Sequence, residues 1–329
     1  MSDQSTSNPQ KGVFLAITAF AVFATHDALI KYLGGSYAVF QIMFFSVMFG
    51  FPPIALSMSA ARALDNFRPH HPWWLAGRTL CNVIGMVCGF YAFTTLPLAE
   101  AYAILFATPL LITALSVPML GEVVRLRRWI AILVGLAGVI IVLRPGATAL
   151  ELGHGAALIA AIVGALASII VRKIGPNERS AVLVLYPLTT TMVVMGCLLP
   201  FVYVPMPLEH LGLTAVIGVF AFIGQFAIIA AYKQASATLI APMQYSQILW
   251  ATLFGMLFFS EFPDIWVAVG AVVIIASGIY IVLRESKDAV SGEKPVLRTA
   301  NMRNFAGPNT DPKGQQRGGI FLRIPKKPK

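Results

Sequence analysis

Charge is scarce in this sequence. Asp, Glu, Lys and Arg make up 12% of its 329 residues, against about a quarter in an ordinary soluble domain. With 57% hydrophobic residues and a mean hydropathy of +0.77, a water-soluble body is excluded. Cysteine is rare as well. Cys81, Cys88 and Cys197 sit inside apolar runs, which leaves neither a disulfide framework nor a metal spacing and makes them small packing residues. No P-loop, HExxH or GxSxG occurs, so neither an ATP-driven machine nor a familiar hydrolase is indicated. His26 and His154 stand isolated, and no metal or cofactor is expected. Alternation of apolar and polar residues is also missing, which excludes a transmembrane β-barrel.

Long apolar runs are what remains. A helix crossing the hydrocarbon needs about 20 mostly apolar residues, and about ten such windows fit: 12–33, 37–58, 73–95, 98–120, 128–144, 153–172, 181–203, 211–233, 238–259 and 264–283. The fold class is therefore an all-α integral membrane protein with short connections and no separate soluble domain. Lys11, Arg62, Arg68, Arg125, Arg127, Arg128, Arg172, Lys173, Arg179 and Lys233 fall on one side of this threading, and only Lys31 and Arg144 on the other. By the positive-inside rule both termini are cytoplasmic. The N-terminal stretch lacks a cleavage pattern, so the first helix is expected to stay, in the cell's inner (plasma) membrane. Of the formal charge of +10, residues 284–329 supply +7, with eleven Lys or Arg against four Asp or Glu. That composition predicts a disordered cytoplasmic tail able to lie on anionic headgroups. Nothing beyond charge supports nucleic-acid binding.

The chain repeats itself. AFTTLPLAEAYAILFATPLLITALSVPMLGE, ending at Glu122, lies without a gap on AYKQASATLIAPMQYSQILWATLFGMLFFSE, ending at Glu261. GVIIVLR at 138–144 follows over GIYIVLR at 278–284, and DALIK at 27–31 lies loosely over SIIVR at 168–172. The organisation read from this is a segment 1–11, a first five-helix repeat 12–145, a second repeat 146–285 and a basic tail 286–329. Because five is odd, the second copy must enter the membrane inverted, an architecture typical of transporters with a site near the midplane.

TTLPLAEAYAILFATPLL followed by LGE, the basic RLRRW and GLAGVIIVLRPG resembles the EamA-type family of the drug/metabolite transporter superfamily. HDALIKYLGG, followed by FQIMFF, is similar to the first two helices of that group. The resemblance spans residues 12 to about 285 and implies alternating-access movement of a small organic solute. It also places the fifth and tenth helices at the periphery. One departure is visible: many members carry Arg in the second helix near Ser46, and FFSVM has none.

Polar residues in an apolar span usually face a cavity or a partner, because a charge at the bilayer centre costs roughly 2.5–3.5 kcal/mol even on lenient scales. Asp27 shares a helix face with Lys31. Either these two form a local ion pair, or Asp27 with His26 lines the solute path as a gate or proton-exchanging group. Glu100, at the start of the fourth helix, is expected to line the cavity with Tyr102 and Thr108. Arg78 and Asn82 form a polar stripe one turn apart, suited to a carboxylate or phosphate or to helix packing through the neighbouring glycines. Gln225, Tyr232, Gln244, Gln247 and Trp250 offer either amides and an aromatic platform for a neutral or zwitterionic solute or interhelical amide bonding within the bundle. Glu122 and Glu261 read as loop anchors. Gly135, Gly138, Gly270 and Gly278 serve internal packing or a homodimer.

The expected function is a secondary transporter, an exporter of a small metabolite such as an amino acid or related solute, working through a cavity lined by helices 1, 3, 4, 6, 8 and 9. An importer of a vitamin or nucleoside-like compound, of riboflavin or S-adenosylmethionine type, is the alternative. An intramembrane enzyme or a membrane scaffold is the competing class.

Overall fold

The computed structural model describes residues 9–60, 68–122, 124–145, 150–175 and 177–290. The predicted tail beyond 290 and most of the predicted N-terminal segment lie outside the described residues. The first half of the chain forms α1 (Pro9–Gly34), α2 (Val39–Ala60), α3 (Pro72–Thr95), α4 (Leu98–Leu105), α5 (Thr108–Leu120) and α6 (Leu126–Leu143). The second forms α7 (Leu152–Ile174), α8 (Ser180–Val202), α9 (Leu208–Gln234), α10 (Ala237–Ile240), α11 (Ser246–Phe259) and α12 (Ile265–Val290). Among the described residues, nine helical runs are long and apolar enough to cross a membrane, α4 and α5 counting together. The tenth predicted span, 238–259, is divided into α10, a 3-10 turn over Ala241–Tyr245, and α11, so no single helix there has the length. α12 runs past the predicted boundary at 285.

The predicted fourth span is interrupted too, and its sequence explains why. Pro109 has no N–H, and its ring crowds the carbonyl four residues back, at Leu105. α4 stops at that residue, and the Thr108 hydroxyl donates to the freed Leu105 carbonyl at 2.7 Å. In the second half Pro242 stands at the start of the 3-10 turn. The break residues Phe106 and Tyr245 occupy the same place in the repeat, and their rings meet edge to face with centroids 5.1 Å apart. The ends of the two spans also match. Gly121 (φ 69) and Ser260 (φ 54) are both left-handed, and the following Glu122 and Glu261 N–H groups donate to Ser116 and Gly255 carbonyls.

Packing exchanges the halves. α1 lies along α9, and α3 lies along α7, although α7 is the repeat counterpart of α1 and α9 that of α3. One bundle thus holds α1, α2, α9 and α11, the other α3, α4, α5 and α7, and α8 packs on both α2 and α3. Directions follow from end contacts. Gly34 abuts Thr94, so α1 and α3 finish together. Gly153, at the start of α7, abuts Thr95 and Leu96, and Tyr37 Oη lies 2.7 Å from Nδ1 of His210, at the start of α9. Hence α7 and α9 begin where α1 and α3 end. α6 and α12 pack on each other outside the bundles, with Gly138 and Gly270 in mutual contact. These glycines are used within the chain.

Candidate functional site

Between the two bundles lies a cavity with about 140 Å³ of space reachable by water. α1, α2, α3, α4, α5, α7, α8, α9 and α11 all contribute to its wall. The expected set of spans is present, joined by α2 and α8. Its aromatic lining consists of Phe23, Phe90, Phe93, Tyr102 and Phe106, and among the described residues no Lys or Arg borders it. Gly50 on α2 and Gly218 on α9 also line it. A Cβ on Gly218 would stand 2.4 Å from the Ser46 carbonyl oxygen, so glycine there brings the two helix backbones together.

One hydrogen-bonded chain crosses this space. His26 Nδ1 is 2.7 Å from Asp27 Oδ1, Tyr102 donates its hydroxyl to Asp27 Oδ2, and Gln247 Nε2 donates to the Tyr102 hydroxyl at 3.3 Å. Three elements, α1, α4 and α11, are tied by four side chains. Asp27 is only 1% exposed. A buried carboxylate is costly unless it is hydrogen-bonded, and the donors here supply that compensation. His26 also stands edge-on to Phe90, with ring centroids 6.1 Å apart.

Of the sequence-predicted residues, His26, Asp27, Tyr102, Thr108 and Gln247 line the cavity. The others lie elsewhere. Glu100 turns away: its Oε1 is 2.9 Å from His154 Nε2, and His154 caps the start of α7 together with Glu151. The apolar neighbours of Glu100 suggested a cavity face, but a partner on the other half takes its charge. Arg78, 1% exposed, donates through Nη1 to the Leu183 carbonyl, and Asn82 Nδ2 donates to the Arg78 carbonyl at 2.9 Å. Arg78 thereby staples α3 to α8, while the Asn82 bond stays within α3. Gln225 is away from the cavity, and Tyr232 packs in the apolar cluster of α1 and α9. Gln244 sits in the 3-10 turn, and Trp250 rests against Phe254 with centroids 6.3 Å apart.

Lys31 does not take Asp27 as its partner. Its Nζ reaches Glu261 at 2.6 Å and donates to the Leu96 carbonyl at 2.5 Å, while Leu98 N–H donates to Glu261 Oε2 at 3.1 Å. The ends of α1 and α11 are thereby clipped to the α3–α4 turn. Arg172, the repeat counterpart of Lys31, pairs with Glu122, the counterpart of Glu261, with Nη1 to Oε2 at 3.1 Å. Both glutamates anchor loops at helix ends. Sequence reasoning missed the aromatic wall and the small face of Gly50 and Gly218. A usable signal was present in the equivalent positions of Phe106 and Tyr245 beside helix-breaking prolines.

Comparison with known proteins adds to this geometry. The model of the EamA-like transporter family matches twice, over residues 10–144 and 149–284. The pseudopaline exporter of Pseudomonas aeruginosa is 29% identical over 272 residues, which are 82% of this chain and 95% of that protein. The S-adenosylmethionine uptake transporter of Rickettsia prowazekii is 26% identical over 281 residues, 85% of this chain and 95% of that one. A solved crystal structure superimposes with a TM-score of 0.58 at 20% identity, covering 87% of this chain and 99% of the other, which speaks to the fold.

Proposed function

We propose, from the premise that the chain belongs to the EamA-like transporter family and is a multi-pass membrane transporter rather than an enzyme, that it exports a small polar organic metabolite of the amino-acid type. Its two repeats are inverted, both termini face the cytoplasm, and the membrane is the inner (plasma) membrane. The opposed directions of α1 and α7 support the inversion, and the Lys and Arg distribution supports the orientation. The observation that carries the substrate reading is the His26–Asp27–Tyr102–Gln247 chain in an aromatic cavity that no Lys or Arg borders among the described residues. Such a wall suits a solute with a protonated amine: Asp27 supplies the charge, Gln247 an amide, and the phenyl faces a favourable surface for a cation.

Alternating access needs binding energy at the centre and movable closures at the ends. The clip of Lys31 and Glu261 on the α3–α4 turn supplies one closure. Import is the second reading, favoured by the likeness to an uptake transporter across most of the chain; it differs in the gradient and not in the site. The test is efflux from proteoliposomes loaded with a mixed metabolite pool, read by mass spectrometry against Asp27→Asn and protein-free vesicles. Selective loss of amine-bearing solutes, abolished by Asp27→Asn, supports the reading. Equal loss from all three preparations, with inserted and folded protein, refutes it.

A further inference from the structure

Several buried side-chain polar atoms have nothing to bond. Thr79 Oγ1, Asn82 Oδ1 and both amide atoms of Gln225 have no hydrogen-bond partner; Thr79 is 7% and Asn82 1% exposed. Buried polar atoms normally find partners, and each exception calls for a reason. The repeat supplies one. Carried back along α3 and α9, the gapless register that sets Ala92 on Ala231 also sets Gly85 on Gly224. In that register Thr79 corresponds to Gly218, Asn82 to Ala221, and Gln225 to Met86. All three counterparts, Gly218, Ala221 and Met86, line the cavity. Other unpartnered atoms, such as Ser246 Oγ, do not follow this pattern, but the four on Thr79, Asn82 and Gln225 sit at the places that become cavity wall when the two halves exchange roles.

The halves are not in equivalent positions now. α3 packs against α1 as well as α7, whereas α9, its counterpart, makes no comparable approach to α7 among the described residues. The structure is thus one of two related arrangements of an inverted pair, and the other has α9 against α7 and α3 apart from α1.

We infer that Thr79, Asn82 and Gln225 form the wall of the solute site in the opposite-facing state, replacing Gly218, Ala221 and Met86. This rests on the alternating-access reading above and names the residues of its second state. The chemistry changes with the state. Asp27 corresponds to Ser168 in the repeat, so the carboxylate serves the present arrangement alone, while the second presents a hydroxyl and two amides. A solute handled by both needs a cationic group for the first and hydrogen-bonding groups such as carboxylate or carboxamide for the second, which is the pattern of a zwitterion. Release from the second state is then easier for the cationic end, which no longer meets an opposite charge there.

Single cysteines at Asn82, Gln225 and Ala221 test this in protein whose Cys81, Cys88 and Cys197 are replaced by Ala. The probe is a water-soluble maleimide, applied in nanodiscs and read peptide by peptide by mass spectrometry. Each variant is compared free and locked in the present arrangement by a disulfide between Gly34→Cys and Thr94→Cys. The expected result is labelling of Asn82→Cys and Gln225→Cys that slows at least about tenfold on locking, with Ala221→Cys labelled as fast or faster. Equal rates with and without the lock at positions 82 and 225, or no labelling of either in free protein, would overturn the inference. Efflux by the cysteine-less parent separates the two levels: transport by the parent with positions 82 and 225 always protected in the variants refutes the second-state site and leaves the transporter reading standing, and absence of transport by the inserted, folded parent refutes both.

Discussion

At the scale of single residues, the Tyr102 hydroxyl is the busiest group in the cavity, donating to Asp27 and accepting from Gln247. Tyr102→Phe leaves a buried carboxylate one donor short and a buried amide without its acceptor, a change worth about 1–3 kcal/mol. We expect a lower thermal midpoint and efflux slowed about tenfold, the kinetic equivalent of about 1.4 kcal/mol; unchanged flux would detach Tyr102 from the site. Glu100→Gln is the contrasting case, because its partner His154 lies outside the cavity. Loss of that largely buried pair, whose side chains are 18% and 10% exposed, costs about 1–3 kcal/mol of stability, and efflux with its pH profile should match the parent. A flattened profile would return Glu100 to the solute path. Asp27, Tyr102 and Gln247 were each legible as polar residues in apolar spans. Their junction was not, since helical spacing offered Asp27 the wrong partner, Lys31, and only the packing of α1 against α4 and α11 brings the Tyr102 hydroxyl to it.

At the scale of elements, the breaks at Phe106 and Tyr245 matter most. Hydropathy sees 98–120 and 238–259 as continuous, because an interruption of two to five residues leaves the mean apolar character untouched. Pro109 and Pro242 carried the information, through the missing N–H. The close contact of α2 and α9 makes a sharper demand. A side chain on Gly218 meets the α2 backbone itself, so Gly218→Val should destabilise by about 1–3 kcal/mol through overpacking and abolish efflux. Gly155→Ala, where an added Cβ meets nothing within 4 Å, serves as the silent control in the same thermal assay. Ser260 holds a left-handed backbone that Gly121 holds at the equivalent place. Ser260→Gly removes a penalty of roughly 1 kcal/mol and should raise the thermal midpoint; a fall would mean that the serine side chain has a use of its own.

At the scale of the molecule, the internal repeat made the architecture readable, since similarity between two segments of one chain reports a common fold without reference to any side-chain contact. Which helix would lie beside which was hidden, because α1 and α9 have similar, nearly featureless apolar faces, and the glycines that decide their approach are spread through many spans. The opposed directions of the halves can be checked on intact cells. Cysteines replacing Trp73 and Leu208, 88% and 84% exposed at the starts of α3 and α9, should react with an impermeant thiol reagent from opposite faces of the membrane; reaction from one face would sink the inversion. The exchanged bundles bear on how the protein is made. While α1 to α6 are being synthesised, α1 has no α9 to rest on and α3 has no α7, so the first half must wait in the lipid with its small and polar surfaces uncovered. Assembly therefore closes late, when α9 leaves the ribosome, and a chain truncated before that point should be a substrate for membrane quality-control proteases rather than a working half.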